Sequence, residues 1–367
     1  MDSVTAGVRP EARARVRPAS KRQQTTYAEL ARQVRELGLM ERRLGYYGAR
    51  TVALAASLVL LAVIAFRLGD SWWQLAVAAG FGFLATQVGF LGHDAAHRQI
   101  FRSGPANDWM ALILANAVSG LSSAWWVHKH SRHHSAPNQE SRDPDIGAGA
   151  LAFTPAVATS RQSRLTAWLT TKQGWFFFPL LLLEGLNLHM ESLRVLIGRQ
   201  PVKRRWLELG LLLTRHCGVL FALAVLLPPG KMIAFLAVQL GVFGFYLGCA
   251  FAPNHTGMPI VPADARPDFL RRQVLSSRNV KGGRAAAFLM GGLNYQIEHH
   301  LFPSMPRPNL RRARQVVRPF CAAHGVPYAE VGPLAAYGIV IRHLNTVGLR
   351  ARETFQCPLV AAYRPRG

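Results

Sequence analysis

Cysteine is scarce and scattered in this 367-residue chain. Cys217, Cys249, Cys321 and Cys357 form no CxxC pair, which argues against a disulfide framework or an iron–sulfur site. Acidic residues are also few, 19 against 43 lysines and arginines, for a formal net charge of +24. Such an excess raises nucleic acid as a partner. However, no DNA- or RNA-binding module signature is present, and the basic residues crowd beside apolar runs, as the positive-inside rule expects. The first fifty residues lack a short apolar segment with a cleavage site, so no removable signal peptide is expected.

Half of the residues are hydrophobic, and they are gathered into long unbroken runs, the mark of a membrane protein. Four spans are expected, at about 51–66, 72–92, 206–227 and 232–252, the first relying on flanking residues to cross a core of roughly 30 Å at ~1.5 Å per residue. Before them, residues 1–44 read as a basic tail followed by an amphipathic helix on the cytoplasmic face, with Leu30, Val34, Leu37 and Met40 at helical spacing. A solvated helix with a small apolar stripe is the alternative. Pro105 to Ser123 contains an apolar stretch too short to span. The apolar segment at about 175–197 carries Pro179, Glu184, Asn187 and His189, and is expected to lie flat in the interface. If it crossed, the last histidine cluster would face the opposite side from the first two. Lys203-Arg204-Arg205 sets the start of the third span inside. From Val261 the chain is basic and soluble-like, with Arg311, Arg312, Arg314 and Arg318 on one helix that faces lipid headgroups or an acidic partner, or is merely solvated. Residues 45–330 form the membrane domain, and 331–367 a C-terminal tail.

Histidine carries the chemistry. Three clusters hold eight of the thirteen histidines: His93-Asp94-Ala95-Ala96-His97, His128-Lys129-His130-Ser131-Arg132-His133-His134 and Gln296-Ile297-Glu298-His299-His300. His130, His133 and His134 stand at i, i+3 and i+4, which sets three imidazoles on one helical face within reach of shared metal. A single such pair is as often two ordinary polar side chains, but three clusters are not, because neutral imidazole is the commonest metal ligand. The second and fourth spans both end in histidine, at His93 and at Asn254-His255, on one membrane surface. Ligand type alone does not choose between iron, zinc, copper and nickel. The first cluster resembles the zinc-protease HExxH, but Asp94 stands where that motif needs its glutamate base, and a protease leaves the other histidines unexplained. Two metals bound by neutral nitrogen fit an oxygen-activating di-iron centre. A non-enzymatic metal transporter or sensor predicts ligands at mid-membrane instead of at helix ends.

These three clusters, with Gly291-Gly292-Leu293-Asn294-Tyr295 leading into the third and Leu301-Phe302-Pro303 following it, resemble the histidine boxes of the membrane fatty acid desaturases. The third box has the QxxHH form of the acyl-lipid and front-end branch, and Asn254-His255 resembles the family's extra histidine after the fourth span. The resemblance covers about residues 45–330. It implies an all-α membrane protein, with four transmembrane helices under a cytoplasmic helical cap that carries a histidine-rich di-iron site. It implies oxygen-dependent desaturation of a fatty acyl substrate, linked to CoA, a carrier protein or a lipid, with a hydroxylase or a desaturase of a lipid-like secondary metabolite as the alternative. Carried over by position, the metal ligands are His93, His97, His130, His133, His134, His255, His299 and His300, holding two iron ions with O2 as co-substrate. Asp94, Asn254, Gln296, His128, Asp143 and Asp145 are candidates to orient ligands or act indirectly. Asp143-Pro144-Asp145 also reads as plain turn chemistry. No haem module is fused, so electrons are expected from outside, from a ferredoxin or similar acidic carrier with an NAD(P)H reductase. Nucleic acid is not expected as a partner. The Arg- and Ala-rich composition suggests a bacterial plasma membrane, with both termini and the active site cytoplasmic.

Overall fold

The computed structural model describes residues 21–161 and 163–349. Helix α1 (Lys21–Glu36) precedes a long apolar hairpin, α2 (Leu44–Leu68) and α3 (Gln74–Ala96). Next, α4 (Gly104–Leu112) runs on as a π-helical turn, Ile113–Ser119, and the chain then bends by 117° into α5 (Ser123–Ser135). After the short helices α6 (Pro155–Thr159) and α7 (Arg164–Thr171) come α8 (Gln173–Ile197) and a second apolar hairpin, α9 (Arg205–Leu226) and α10 (Pro229–His255). The remainder is α11 (Phe269–Leu275), strand β1 (Asn279–Val280), α12 (Gly283–Leu289), α13 (Gln296–Leu301), α14 (Arg307–Ala323), β2 (Glu330–Val331) and α15 (Pro333–Leu349). The two strands pair in parallel.

Among the described residues, four helices, α2, α3, α9 and α10, are long and apolar enough to cross a membrane. Helices α2, α3 and α10 run several residues past at least one end of the apolar run that announces them, whereas α9 matches its run to within one residue at each end. Val52, Val59, Leu60 and Phe66 of α2 and Phe221 and Val225 of α9 point outward from the protein. Such continuous apolar exposure is stable only in lipid, where helices also satisfy their own backbone. The chain is thus an all-α membrane protein. The inner pair, α3 and α10, packs at Gly82, where a Cβ would collide with the Gln239 carbonyl. Helix α8 is not among the candidate spans. It crosses the C-terminal half of α10 at Gly185 and Gly244, so closely that a Cβ on Gly185 would meet the Leu240 carbonyl oxygen.

A helical cap covers one end of the spans. Leu30 and Val34 of α1 are fully buried against Ile297 and Leu301 of α13 and Leu310, Ala313 and Val317 of α14. Burying each large side chain contributes about 1.5–3 kcal/mol. Of the apolar stripe expected to face the membrane or stand alone, Leu30 and Val34 therefore belong to the cap's own core and Met40 packs against it, because α13 and α14 offer a complementary apolar face, whereas Leu37 stays exposed. The tail expected from residue 331 also needs correction. Residues 333–349 form α15, with Val340 and Leu344 buried against Phe177 and Leu181 of α8. Residues 1–20 and 350–367 of the two expected tails lie outside the described residues.

Candidate metal centre

All eight histidines expected as ligands meet at the cap end of the spans. Helix α3 delivers His93 in its last turn and His97 just beyond it, and α10 ends on His255. One face of α5 carries His130, His133 and His134, and α13 carries His299 and His300. Two groups have ring nitrogens within 4.8 Å of one another: His93, His97, His130 and His299, and separately His133, His255 and His300. His134 lies between them. Its Nε2 is 3.0 Å from that of His130 and 3.2 Å from that of His299, and its ring stacks on His300 at 4.2 Å. Further Nε2 pairs approach to 2.9 Å at His97–His130 and to 3.3 Å at His133–His255.

These short nitrogen–nitrogen approaches suit a common cation. Two nitrogens each ~2.1 Å from one ion and at right angles stand about 3 Å apart. The tautomers fit as well. His133 Nδ1 faces Asp143 at 3.0 Å, His255 Nδ1 donates to the Ser276 carbonyl at 2.9 Å, His300 Nδ1 donates to Gln273 Oε1 at 3.0 Å, and His93 Nδ1 faces Asp94 at 3.3 Å. Each partner holds the proton on Nδ1 and leaves Nε2 as the acceptor nitrogen, available to metal at His93, His133 and His300 and capped by the Gln296 amide at His255. The Nε2 atoms of His93 and His300 are buried without a hydrogen-bond partner among the described residues. Electrostatics agrees: burial, then the neighbouring imidazoles, holds His97, His130, His134, His299 and His300 below the usual histidine range, in the neutral form that binds metal. His133 goes the other way. Burial opposes its charge, but Asp143 and Asp145 outweigh that and raise it.

Supporting residues divide by what they touch. Asp143 accepts from His133, and also from the backbone N–H of Asn138 and Asp145 in its turn. Asp145 is half-exposed, 3.3 Å from His133 and paired with Lys129 at 3.0 Å. Asn254 donates to Gln296 Oε1, and Gln296 in turn donates to His255 Nε2 at 2.9 Å. Gln296 therefore sits in the pocket beside one ring group. His128 does not: it is exposed on the reverse face of α5. His189 is likewise remote, packed against His216 with ring centroids 5.2 Å apart.

Several groups at the centre escape sequence reasoning. Arg307 forms a buried ion pair with Asp94 at 2.7 Å, behind His93. Gln273, hidden in a basic stretch, fixes His300. Glu208 of α9 accepts from Ser122 Oγ at 2.6 Å and the Ala124 N–H at 3.1 Å, anchoring the N-terminus of α5, where a carboxylate is favoured. Glu298, turned away from the rings, is pushed up to about 7 by burial, against hydrogen bonds from Tyr328 and Asn279. The Gly291-Gly292 pair has a steric cause: both adopt positive φ, and a Cβ on either would strike Phe90 or Arg307.

Residues 70–332 match the family model described as fatty acid desaturase. An acyl-lipid (9-3)-desaturase of Physcomitrium patens is 32% identical over 287 residues, 76% of this chain and 54% of that protein. A second one, of Borago officinalis, is 30% identical over 74% of this chain and 63% of its own length. A Delta(5) fatty acid desaturase of Caenorhabditis elegans is 30% identical over 83% of this chain and 69% of its own. The matches thus span little more than half of the moss protein and less than two thirds of the borage one. These relatives come from plants and an animal, so the likeness lends nothing to the expectation of a bacterial source.

Proposed function

The chain belongs to the fatty acid desaturase family, and from that membership we propose that it is an oxygen-dependent fatty acyl desaturase. The observation that carries this reading is the convergence of eight imidazoles from four helices, with Nε2 atoms facing one another in two groups. His93, His97, His130 and His299 would hold one iron and His133, His255 and His300 the other, with His134 between them. When bound, such a pair of irons supplies the oxidising power that removes two hydrogens from an acyl chain while O2 is reduced to water. The chain's own residues position and insulate that chemistry. Asp94, Asp143, Gln273 and the Ser276 carbonyl orient the rings, and Gln296 places an amide where it can orient or bind at the second group. Trp126, stacked over His130 at 4.3 Å, closes one flank against water.

The relatives named for acyl-lipid and Delta(5) desaturation support an acyl chain as substrate. Electrons would come from a small acidic carrier drawn to the basic cap. We place the pocket and both termini on the cytoplasmic side, as Lys203-Arg204-Arg205 at the start of α9 favours, with α8 lying at the interface. The test is the fatty-acid profile of a host lacking the activity, with and without this chain, beside His133→Ala. A product short of two hydrogens, absent from the variant and accompanied by about two irons per chain, as a site of this ligand count holds, is expected. A gain of one oxygen atom would reassign the chain to hydroxylation. An unchanged profile from folded, iron-loaded protein with a working electron supply overturns the proposal.

A further inference from the structure

A second polar site lies on the far side of α5. Its outer face, with α4, the loop after α3 and the residues leading into α9, encloses a cleft of about 750 Å3. His130, His133 and His134 occupy the opposite face, so one helix separates this cleft from the metal pocket. Its charge is almost all of one sign. Arg98 is balanced by Asp108 at 3.6 Å, and Glu208 is turned inward to the N-terminus of α5. That leaves Arg132, Lys203 and Arg204 facing the cleft with no acidic partner among the described residues, beside His128.

The cleft's depth in the membrane follows from its walls. Ala96 ends the span α3, Lys203 and Arg204 immediately precede the span α9, and Arg204 lies 4.4 Å over the exposed ring of Trp109. The opening therefore lies where the apolar spans give way to polar chain, the level of lipid headgroups, and a tryptophan is at home there. Two guanidinium forks and an ammonium in a concave site match the oxygens of a phosphate, and basic pockets between membrane helices favour anionic headgroups.

We propose that this cleft binds the phosphate of an anionic membrane phospholipid, at a site separate from the metal pocket. The inference does not depend on the reaction that the metal pocket performs. A soluble phosphate ester shares the phosphate chemistry, but the position at the span ends favours the lipid.

The full chain, reconstituted with mixed phosphatidylglycerol and phosphatidylcholine, is examined by native mass spectrometry. Wild type is expected to retain phosphatidylglycerol under activation that strips phosphatidylcholine. Lys203→Gln/Arg204→Gln on one wall and Arg132→Gln on the other should each lower that retention roughly tenfold. Arg311→Gln/Arg312→Gln, exposed on α14, should not. Gel filtration and thermal melting select the variants that fold, and either wall alone suffices for the test. Wild-type retention in a folded cleft variant overturns the proposal, as does equal loss in the α14 control. Displacement by free glycerol 3-phosphate overturns the membrane assignment in favour of a soluble ester.

Discussion

Arg307→Gln gives the sharpest test of how the metal centre is held up. Arg307 and Asp94 form an ion pair at 2.7 Å with side chains only 6% and 2% exposed, and Arg307 also donates to the Phe90 carbonyl at 2.6 Å. Removing one partner of a buried pair strands the other charge in a poorly polarisable interior, which costs about 3–5 kcal/mol. At the roughly 2 °C per kcal/mol expected for a chain this long, the melting temperature should fall by about 6–10 °C. The assay is thermal melting of metal-stripped protein in one fixed detergent, so that ligand binding does not contribute. The diagnostic variant is Asp94→Asn/Arg307→Gln, in which no charge is stranded. It should melt above the sum of the two single losses by a coupling of about 1–3 kcal/mol. If Arg307→Gln melts with wild type, or the double variant is simply additive, then the pair does not support His93 and the reasoning fails.

Gln273→Ala removes the acceptor that sets the His300 tautomer, and metal affinity measured by competition with a chelator should drop about 10- to 100-fold. Glu208→Ala leaves the Ser122 hydroxyl and the N–H groups that open α5 unpaired, at about 1–3 kcal/mol, read as an earlier melt. Gly185→Leu forces a side chain into the backbone of α10 and should yield aggregated protein on gel filtration, whereas Gly210→Ala, with open space around it, should behave as wild type. The buried imidazoles of His97, His130, His134, His299 and His300 also predict a pH trend. Their folded values lie below the free value of 6.5, so the unfolded chain takes up protons first. Stability of the metal-free protein should therefore be full above about 6.5 and decline as pH falls through that value; a flat profile from pH 7 down to 5 would contradict the burial of these rings.

The histidine clusters were legible because their spacing is short-range and their residue type is rare outside such sites. The four spans were legible because lipid demands apolar length, and α2, α3 and α10 ran longer than their apolar runs because helices continue into the headgroup region. What stayed hidden depends on contacts between distant segments. Nothing local marks Gln273 or Arg307 apart from the basic residues around them, and only the folded chain sets Arg307 against Asp94, 213 positions earlier in the numbering. The stripe of α1 announced a helix but not its partner. Residues 333–349 read as tail because their apolar residues are interrupted by Tyr337, Arg342, His343 and Asn345, three of which turn out to grip other segments: Tyr337 donates to the Cys249 carbonyl, His343 Nε2 to the Phe153 carbonyl, and Asn345 accepts from the Gly174 N–H.

The tight crossing of α3 on α10 has a mechanical corollary. His93 tops one of these columns and His255 the other, and the two rings belong to different nitrogen groups. A thicker or thinner bilayer obliges spanning helices to alter their tilt. Leaning one column against its neighbour would shift the gap between the two nitrogen groups, coupling their spacing to the fluidity and thickness of the surrounding lipid.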